Sequence, residues 1–235
     1  MTESDLVFII PAKQDSTRVP RKNWREFCDG KCLVDITLQK IRKAVAGDDA
    51  GDGAGAGKIY LSSELCPESL DWCEKNQVTL LPRSPDLSDN SVPIQQWMRS
   101  ICGQIPGDSE IAWCQVCDPF FDEHEKCLSK WSEIRNLHQG RQFDSLVVAN
   151  RWRGYLMTSG GCPVGWSFGS HHTPSQLLPQ WLTMPFTFSV LTRAAIEQTG
   201  YHVGSKPFWF VNDGFSVDID TMDDFEFAAW KYARV

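Results

Sequence analysis

The chain reads as an α/β layered protein. Two observations predict this. Short apolar runs alternate with helical apolar periods along almost the whole length. The first run, Leu6-Val7-Phe8-Ile9-Ile10, is continuously apolar, as a strand covered on both faces would be. A length of 235 residues lies between one domain and two and buries a sizeable core without staples. We read one domain, 1–235, with 151–182 as an inserted arm or lid.

Pro11 ends the first strand and opens a polar, cationic loop that runs to Asn23. A helix is expected from Asp35 to Ala46. The segment Ala46 to Gly57 is rich in glycine and aspartate. It leaves a helix and enters a strand, the reverse of the order a phosphate cradle needs, so it reads as a flexible linker. Ile59 to Ser63 is the second strand, Pro67 suits the first turn of a short helix, and Val78 to Leu81 is the third strand. After Pro93, residues Ile94, Trp97, Met98 and Ile101 fall on one helical face. Ile111 to Val116 reads as a central strand. Asp122 with Glu125 has the spacing of a capping box, ahead of a helix buried through Leu128, Trp131 and Ile134. Ser145 to Ala149 is a further strand. Residues from Arg151 to Gln180 show neither period and are rich in Gly, Pro, Ser and His; so long an irregular stretch is usually functional. Pro185 to Leu191 is strand-like, and Thr192 caps a helix that stops at Gly200. Ser216 to Asp220 reads as the last strand. Thr221 and Asp224 form a second capping box, before a helix whose inner face carries Phe225, Ala228, Ala229 and Tyr232.

Composition narrows the function classes. Apolar residues make up 42% and charged residues 23%, ordinary for a soluble globular chain and unlike a disordered or fibrous one. The formal charge is −7, which disfavours general binding to nucleic acid or an acidic membrane; an anion must be held in a local basic pocket. No apolar run approaches a membrane span, and the acidic start Met1-Thr2-Glu3-Ser4-Asp5 is unlike a signal peptide. Nine cysteines scattered through core-like patterns fit a reduced, cytoplasmic chain.

Three constellations carry chemistry. The loop Pro11 to Asn23 concentrates Lys13, Arg18, Arg21 and Lys22 just beyond the carboxyl end of a strand, where open α/β sheets collect ligands. Such a loop suits a polyphosphate; the alternative is a solvated basic turn. Asp218 and Asp220, read on a strand, share one face, and paired carboxylates beside a nucleotide phosphate call for Mg²⁺; the alternative is an exposed strand end. Gln115 to Phe120 leaves the central strand, with Asp118 placed to reach the same metal and Gln115 to contact substrate. Cys114 and Cys117 have no second cysteine pair and face opposite sides of a strand, which argues against zinc. His171-His172 near Cys162 reads as surface.

The stretch Phe8-Ile9-Ile10-Pro11-Ala12-Lys13 through Pro20-Arg21-Lys22-Asn23 resembles the opening signature of the sugar-acid cytidylyltransferases, the CMP-acylneuraminate synthetase family. Ser216-Val217-Asp218-Ile219-Asp220-Thr221 resembles that family's closing motif. Leu80-Leu81-Pro82-Arg83 with Leu87-Ser88-Asp89 resembles the stretch between them. The resemblance implies a Rossmann-like nucleotidyltransferase three-layer sandwich with a protruding dimerisation arm, working as a homodimer. It implies transfer of CMP from CTP to the anomeric hydroxyl of a 2-keto sugar acid, of the sialic, legionaminic or pseudaminic type, with release of pyrophosphate. It implies Lys13 and Lys22 as catalytic cations, and Pro11, Ala12, Lys13, Asn23, Arg83 and Gln115 as nucleotide contacts. Gln176 and Phe186 would hold the sugar, and Asp218, Asp220 and Asp118 would hold Mg²⁺.

Three departures bear on the acceptor. Lys13 stands where the family has Arg and loses its bidentate fork. Gln115-Val116-Cys117-Asp118-Pro119 replaces the family's usual loop, and an Asp there is more like the octulosonate enzymes, an alternative reading. Thr173 to Pro179 resembles the arm motif but lacks its Arg, leaving Arg151 and Arg153 as candidates to hold an acidic acceptor. Two rivals stand beside this reading. A sugar-1-phosphate pyrophosphorylase would show a G-x-G-T-R motif after the first strand, which is absent. A catalytically silent, nucleotide-binding scaffold would have no need of two metal carboxylates.

Overall fold

A computed structural model describes residues 6–46, 58–88, 92–138 and 142–235. The linker reading of residues up to Gly57 falls, beyond Ala46, outside them, as does Asp89.

The elements follow in chain order. β1 (Leu6–Pro11) leads through the cationic loop to α1 (Leu33–Ala46); β2 (Ile59–Glu64), α2 (Pro67–Lys75), β3 (Thr79–Arg83), α3 (Pro85–Ser88) and α4 (Ile94–Gly103) come next. β4 (Glu110–Cys114), α5 (His124–His138) and β5 (Ser145–Trp152) precede the arm; β6 (Trp181–Thr183), β7 (Phe188–Leu191), α6 (Arg193–Thr199), β8 (Pro207–Asn212) and α7 (Met222–Tyr232) follow it.

Among the described residues eight strands form one sheet, in the order β3-β2-β1-β4-β7-β5-β6, with β8 also beside β5. β3, β2, β1 and β4 run parallel, and β8 runs parallel to β5. β7 is antiparallel to both β4 and β5. The continuous apolar run of β1 has the expected meaning. Phe8 and Ile10 enter one core with Leu33, Ile41, Trp131 and Phe225, while Val7 and Ile9 enter the other with Met98, Ile101 and Ile196. Alternate residues thus serve opposite faces, and helices cover both, giving three layers.

Several boundaries and elements differ from the sequence reading; α3, β6 and β8 were not expected. Ser216 to Asp220 is not a strand; the last strand is β8, which ends at Asn212, and 216–220 is a connection outside the sheet. The Asp122 box does not form: α5 begins at His124, and Asp122 instead pairs with Lys43 at 3.4 Å. Ile94 is exposed, and Cys102 completes the buried face of α4. The caps at Thr192 and Thr221 and the left-handed Gly200 stop are as expected.

The arm has a short stem. β5 runs on to Trp152, and β6 pairs with Asn150 to Trp152. Between them the chain turns through two single 3₁₀ turns, Gly169–His171 and Ser175–Leu177. It is held by local bonds, such as Trp166 Nε1 donating to the Leu156 carbonyl at 2.7 Å. Tyr155, Leu156, Met157, Phe168 and Leu177 are exposed along it. No described helix is long and apolar enough to cross a membrane.

Candidate active site

The carboxyl ends of β1, β3 and β4 open onto a cleft of about 170 Å³. Its wall includes Pro11, Lys13, Lys22, Asn23, Arg83, Trp97, Gln115 and Cys117. A second hollow of about 160 Å³ shares Lys13 and Lys22 with the first and adds Asp15, Ser16, Thr17, Arg18 and Asp220. The cationic loop and the acidic segment therefore meet, although nearly two hundred residues separate them. Lys22 Nζ donates to the Ile219 carbonyl, between the two acids, and Arg18 pairs with Asp220 Oδ1 at 2.6 Å.

The loop is shaped by its own backbone. Lys22 N–H closes a turn on the Val19 carbonyl at 3.0 Å, with Val19 sunk in the core and Arg21 at φ 54°. Asn23 is buried; its Nδ2 donates to the Lys13 carbonyl at 2.9 Å, so one side chain pins both ends of the loop. Its Oδ1 is a buried acceptor without a partner among the described residues, on the wall of the first cleft. Such an oxygen is poised for a ligand N–H.

Arg83 is buried at the end of β3. Its Nε donates to Ser62 Oγ at 3.1 Å, and its guanidinium lies 4.6 Å from the Trp97 ring centroid. Burial pushes its pKa down to about 10, with the Glu64 charge opposing. A cation held at that cost on a cleft wall marks an anion or carbonyl site more than a structural one.

The acidic segment has no ladder to hold it, so side chains do. The Ile219 N–H donates to the Cys117 carbonyl at 3.0 Å. Asp118 Oδ2 accepts from Ser216 Oγ at 2.5 Å and from Thr187 Oγ1 at 3.4 Å. Its Oδ1 accepts from the Phe120 N–H at 3.1 Å and the Val217 N–H at 3.4 Å. Both oxygens of Asp118 thus accept from protein donors, and these bonds tie the 216–220 segment to the loop that leaves β4. Burial raises its pKa, while those hydrogen bonds oppose the shift. Lys40, from α1, supports the same loop by donating to the Pro119 and Phe121 carbonyls. The pKa of Asp218 is raised first by desolvation of its carboxyl group; the neighbouring Cys117 thiol opposes the shift, and the Asp220 charge adds to it.

Two acids that repel, with a guanidinium already drawn onto one of them, form a donor set that fits Mg²⁺. That ion ordinarily takes one or two carboxylates and fills its other positions from phosphate and water. Among the described residues no group of three or more His, Cys, Asp or Glu side chains is arranged to hold a metal.

The remaining expected residues divide. Pro11, Lys13, Lys22, Asn23, Arg83 and Gln115 converge on the cleft. Ala12 does not line it: it is fully buried, and its N–H donates to the Ser62 carbonyl at 2.9 Å. Gln176 is exposed on an arm turn and lines neither hollow. Phe186 also lines neither, yet it holds φ at 56° with its ring 5.3 Å from that of His202. Its neighbour Thr187 supplies the carbonyl that takes the Gln115 N–H at 2.9 Å. Arg151 is engaged by Asp213 at 2.7 Å and Gln180 at 2.6 Å. Sequence reasoning missed Trp97 and Cys117 as wall residues. Trp97 carries only a core signal, a place on an amphipathic face; its half-buried ring turns toward Arg83.

Comparisons with known proteins follow from this geometry. Residues 7–89, about a third of the chain, match the family model described as Cytidylyltransferase. The fold resembles that of a CMP:2-keto-3-deoxy-manno-octonic acid synthetase complexed with CTP. The TM-score is 0.63 at 12% identity, over 98% of this chain and 99% of that one. It also resembles a 4-diphosphocytidyl-2C-methyl-D-erythritol synthase from Anaerococcus prevotii, with TM-score 0.63 and 13% identity, over 97% and 96%. A cytidylyltransferase from Leptospira borgpetersenii has TM-score 0.55 and 16% identity, over 95% and 84%. A comparison with curated proteins finds no match.

Proposed function

We propose that this chain, with the cytidylyltransferase family's sequence over residues 7–89 and a nucleotidyltransferase fold, transfers CMP from CTP to a 2-keto sugar acid and releases pyrophosphate. The observation that carries the reading is the single hollow in which Lys13, Arg18 and Lys22 face Asp220. In this reading the first cleft takes the nucleoside, with Arg83 and the Asn23 amide oxygen on its wall. The triphosphate lies over the loop, where backbone N–H groups and Lys13 and Lys22 meet its charge. Asp218 and Asp220 would hold Mg²⁺, which when bound supplies neutralisation of phosphate charge and polarisation of the attacking hydroxyl. The acceptor hydroxyl attacks the α-phosphorus in line and gives its proton to water as the bond from the α-phosphorus to the bridging oxygen breaks, and pyrophosphate leaves toward Lys13 and Lys22. Positioning and charge neutralisation supply the acceleration; no side chain of the two hollows is placed as a dedicated general base.

The acceptor enters past Phe186, whose positive φ is a strain of the kind that persists where function holds it. Eight- and nine-carbon sugar acids both remain within this class. The exposed apolar side chains of the arm suit cover by a second copy of the chain, as a homodimer.

The test is pyrophosphate release from CTP, Mg²⁺ and a panel of 2-keto sugar acids. Turnover with at least one acceptor is expected, and Asp220→Asn should lose about a hundredfold or more in kcat, the scale of removing one electrostatic partner of the transition state. CTP binding without turnover across the panel would overturn the transferase reading in favour of a silent nucleotide-binding scaffold.

A further inference from the structure

We propose that Arg18 competes with the divalent cation for Asp220, and that this competition couples cation binding to triphosphate binding. The inference rests on the reading of Asp218 and Asp220 as the cation-holding pair.

The geometry has three parts. Arg18 Nη2 lies 2.6 Å from Asp220 Oδ1, and both residues line the same hollow. The root of Arg18 is fixed, because the next residue, Val19, is 1% exposed and closes the loop turn with Lys22. Its head is loose: the side chain is 67% exposed and the Asp220 side chain 40%. An exposed ion pair of this kind is weak and screened by water, so it exchanges readily. Lys22, by contrast, spends its amine on the Ile219 carbonyl and stays beside both acids.

A cation that takes Asp220 must release the guanidinium. The wall the guanidinium then faces carries Lys13 and Lys22, two like charges, with Asp15 the other acid of the hollow. A triphosphate on that wall gives Arg18 a new anionic partner. Cation binding alone therefore strands Arg18, and cation with triphosphate satisfies it. By linkage, each ligand promotes the other by the same factor. The arginine serves as an internal check against a cation bound without its nucleotide.

The experiment uses the full chain and Mn²⁺ as probe, titrated by electron paramagnetic resonance with and without CTP, in the absence of any acceptor. Arg18→Ala is expected to tighten Mn²⁺ alone by about two- to fivefold, the range of an exposed ion pair. It is also expected to shrink, by a similar factor, the ratio of Mn²⁺ affinities with and without CTP. Arg18→Lys should fall between. If Arg18→Ala leaves both quantities unchanged while Asp220→Asn weakens Mn²⁺, the competition is refuted and the cation site stands. If Asp220→Asn has no effect on Mn²⁺, the cation site itself is refuted, and the competition with it.

Discussion

Asp118 gives the sharpest test of how the acidic segment is held. As a metal ligand it would need its charge; as an anchor it needs acceptors in the right places. Its Oδ1 takes two backbone N–H groups and its Oδ2 two hydroxyls. Asp118→Asn keeps the first pair through its carbonyl, and its amide can donate to the Ser216 and Thr187 hydroxyls, which rotate to accept. Ser216 Oγ already accepts from Asn150 Nδ2 at 2.7 Å, so it has one lone pair left for the new donor. The expected cost is about 1–2 kcal/mol in denaturant unfolding. Asp118→Ala strands all four donors, Thr187 among them fully buried, and should cost about 3–5 kcal/mol. Mn²⁺ affinity, read on the folded protein, should be close to wild type in the Asn variant and much weaker in the Ala variant. An Asn variant that is as stable as wild type but has lost Mn²⁺ binding would refute the anchor and restore the ligand.

Two further outcomes follow from buried charge. His202 is buried against Trp113, their rings stacked at 6.5 Å, and burial lowers its pKa to about 4. The unfolded chain then takes up a proton near pH 6.5 that the folded one refuses, so stability is present above that pH and lost as pH falls toward 4. Denaturant melts at pH 7 and pH 5 should differ by about 2 kcal/mol more in wild type than in His202→Phe; equal differences would count against it. Arg83→Met should show function and stability moving apart. Removing a charge that burial disfavours should leave the melting temperature unchanged or higher, while CTP affinity falls about tenfold or more, the worth of a charge-assisted contact. A variant that loses stability and keeps CTP would refute a nucleotide role.

The legible parts of this protein are those written in local pattern. β1 was readable because a strand covered on both faces is apolar at every position, and its end at Pro11 placed the loop where ligands collect. Caps at Thr192 and Thr221 follow from hydrogen bonds made within four residues. The cationic loop stood out because charge clustered in an acidic chain is visible without coordinates. Motif resemblance added Arg83, whose surroundings no period could reveal.

Other features depend on partners far along the chain. Asp218 and Asp220 look like alternating strand residues, but β8 takes that place beside β5, and 216–220 hangs from Asp118 and Cys117 instead. The same long-range bonds give Asp118 four donors that no local pattern shows. Trp97 carries a core pattern and becomes a cleft wall because β3 delivers Arg83 against it. The amino-acid sequence alone determined the layers, the loop and the kinds of charge available, since these follow from periodicity and composition. Only the folded chain decided which acid keeps an oxygen free and which cation sits on it. Those outcomes depend on which distant donors reach a carboxylate first, and nothing local encodes that.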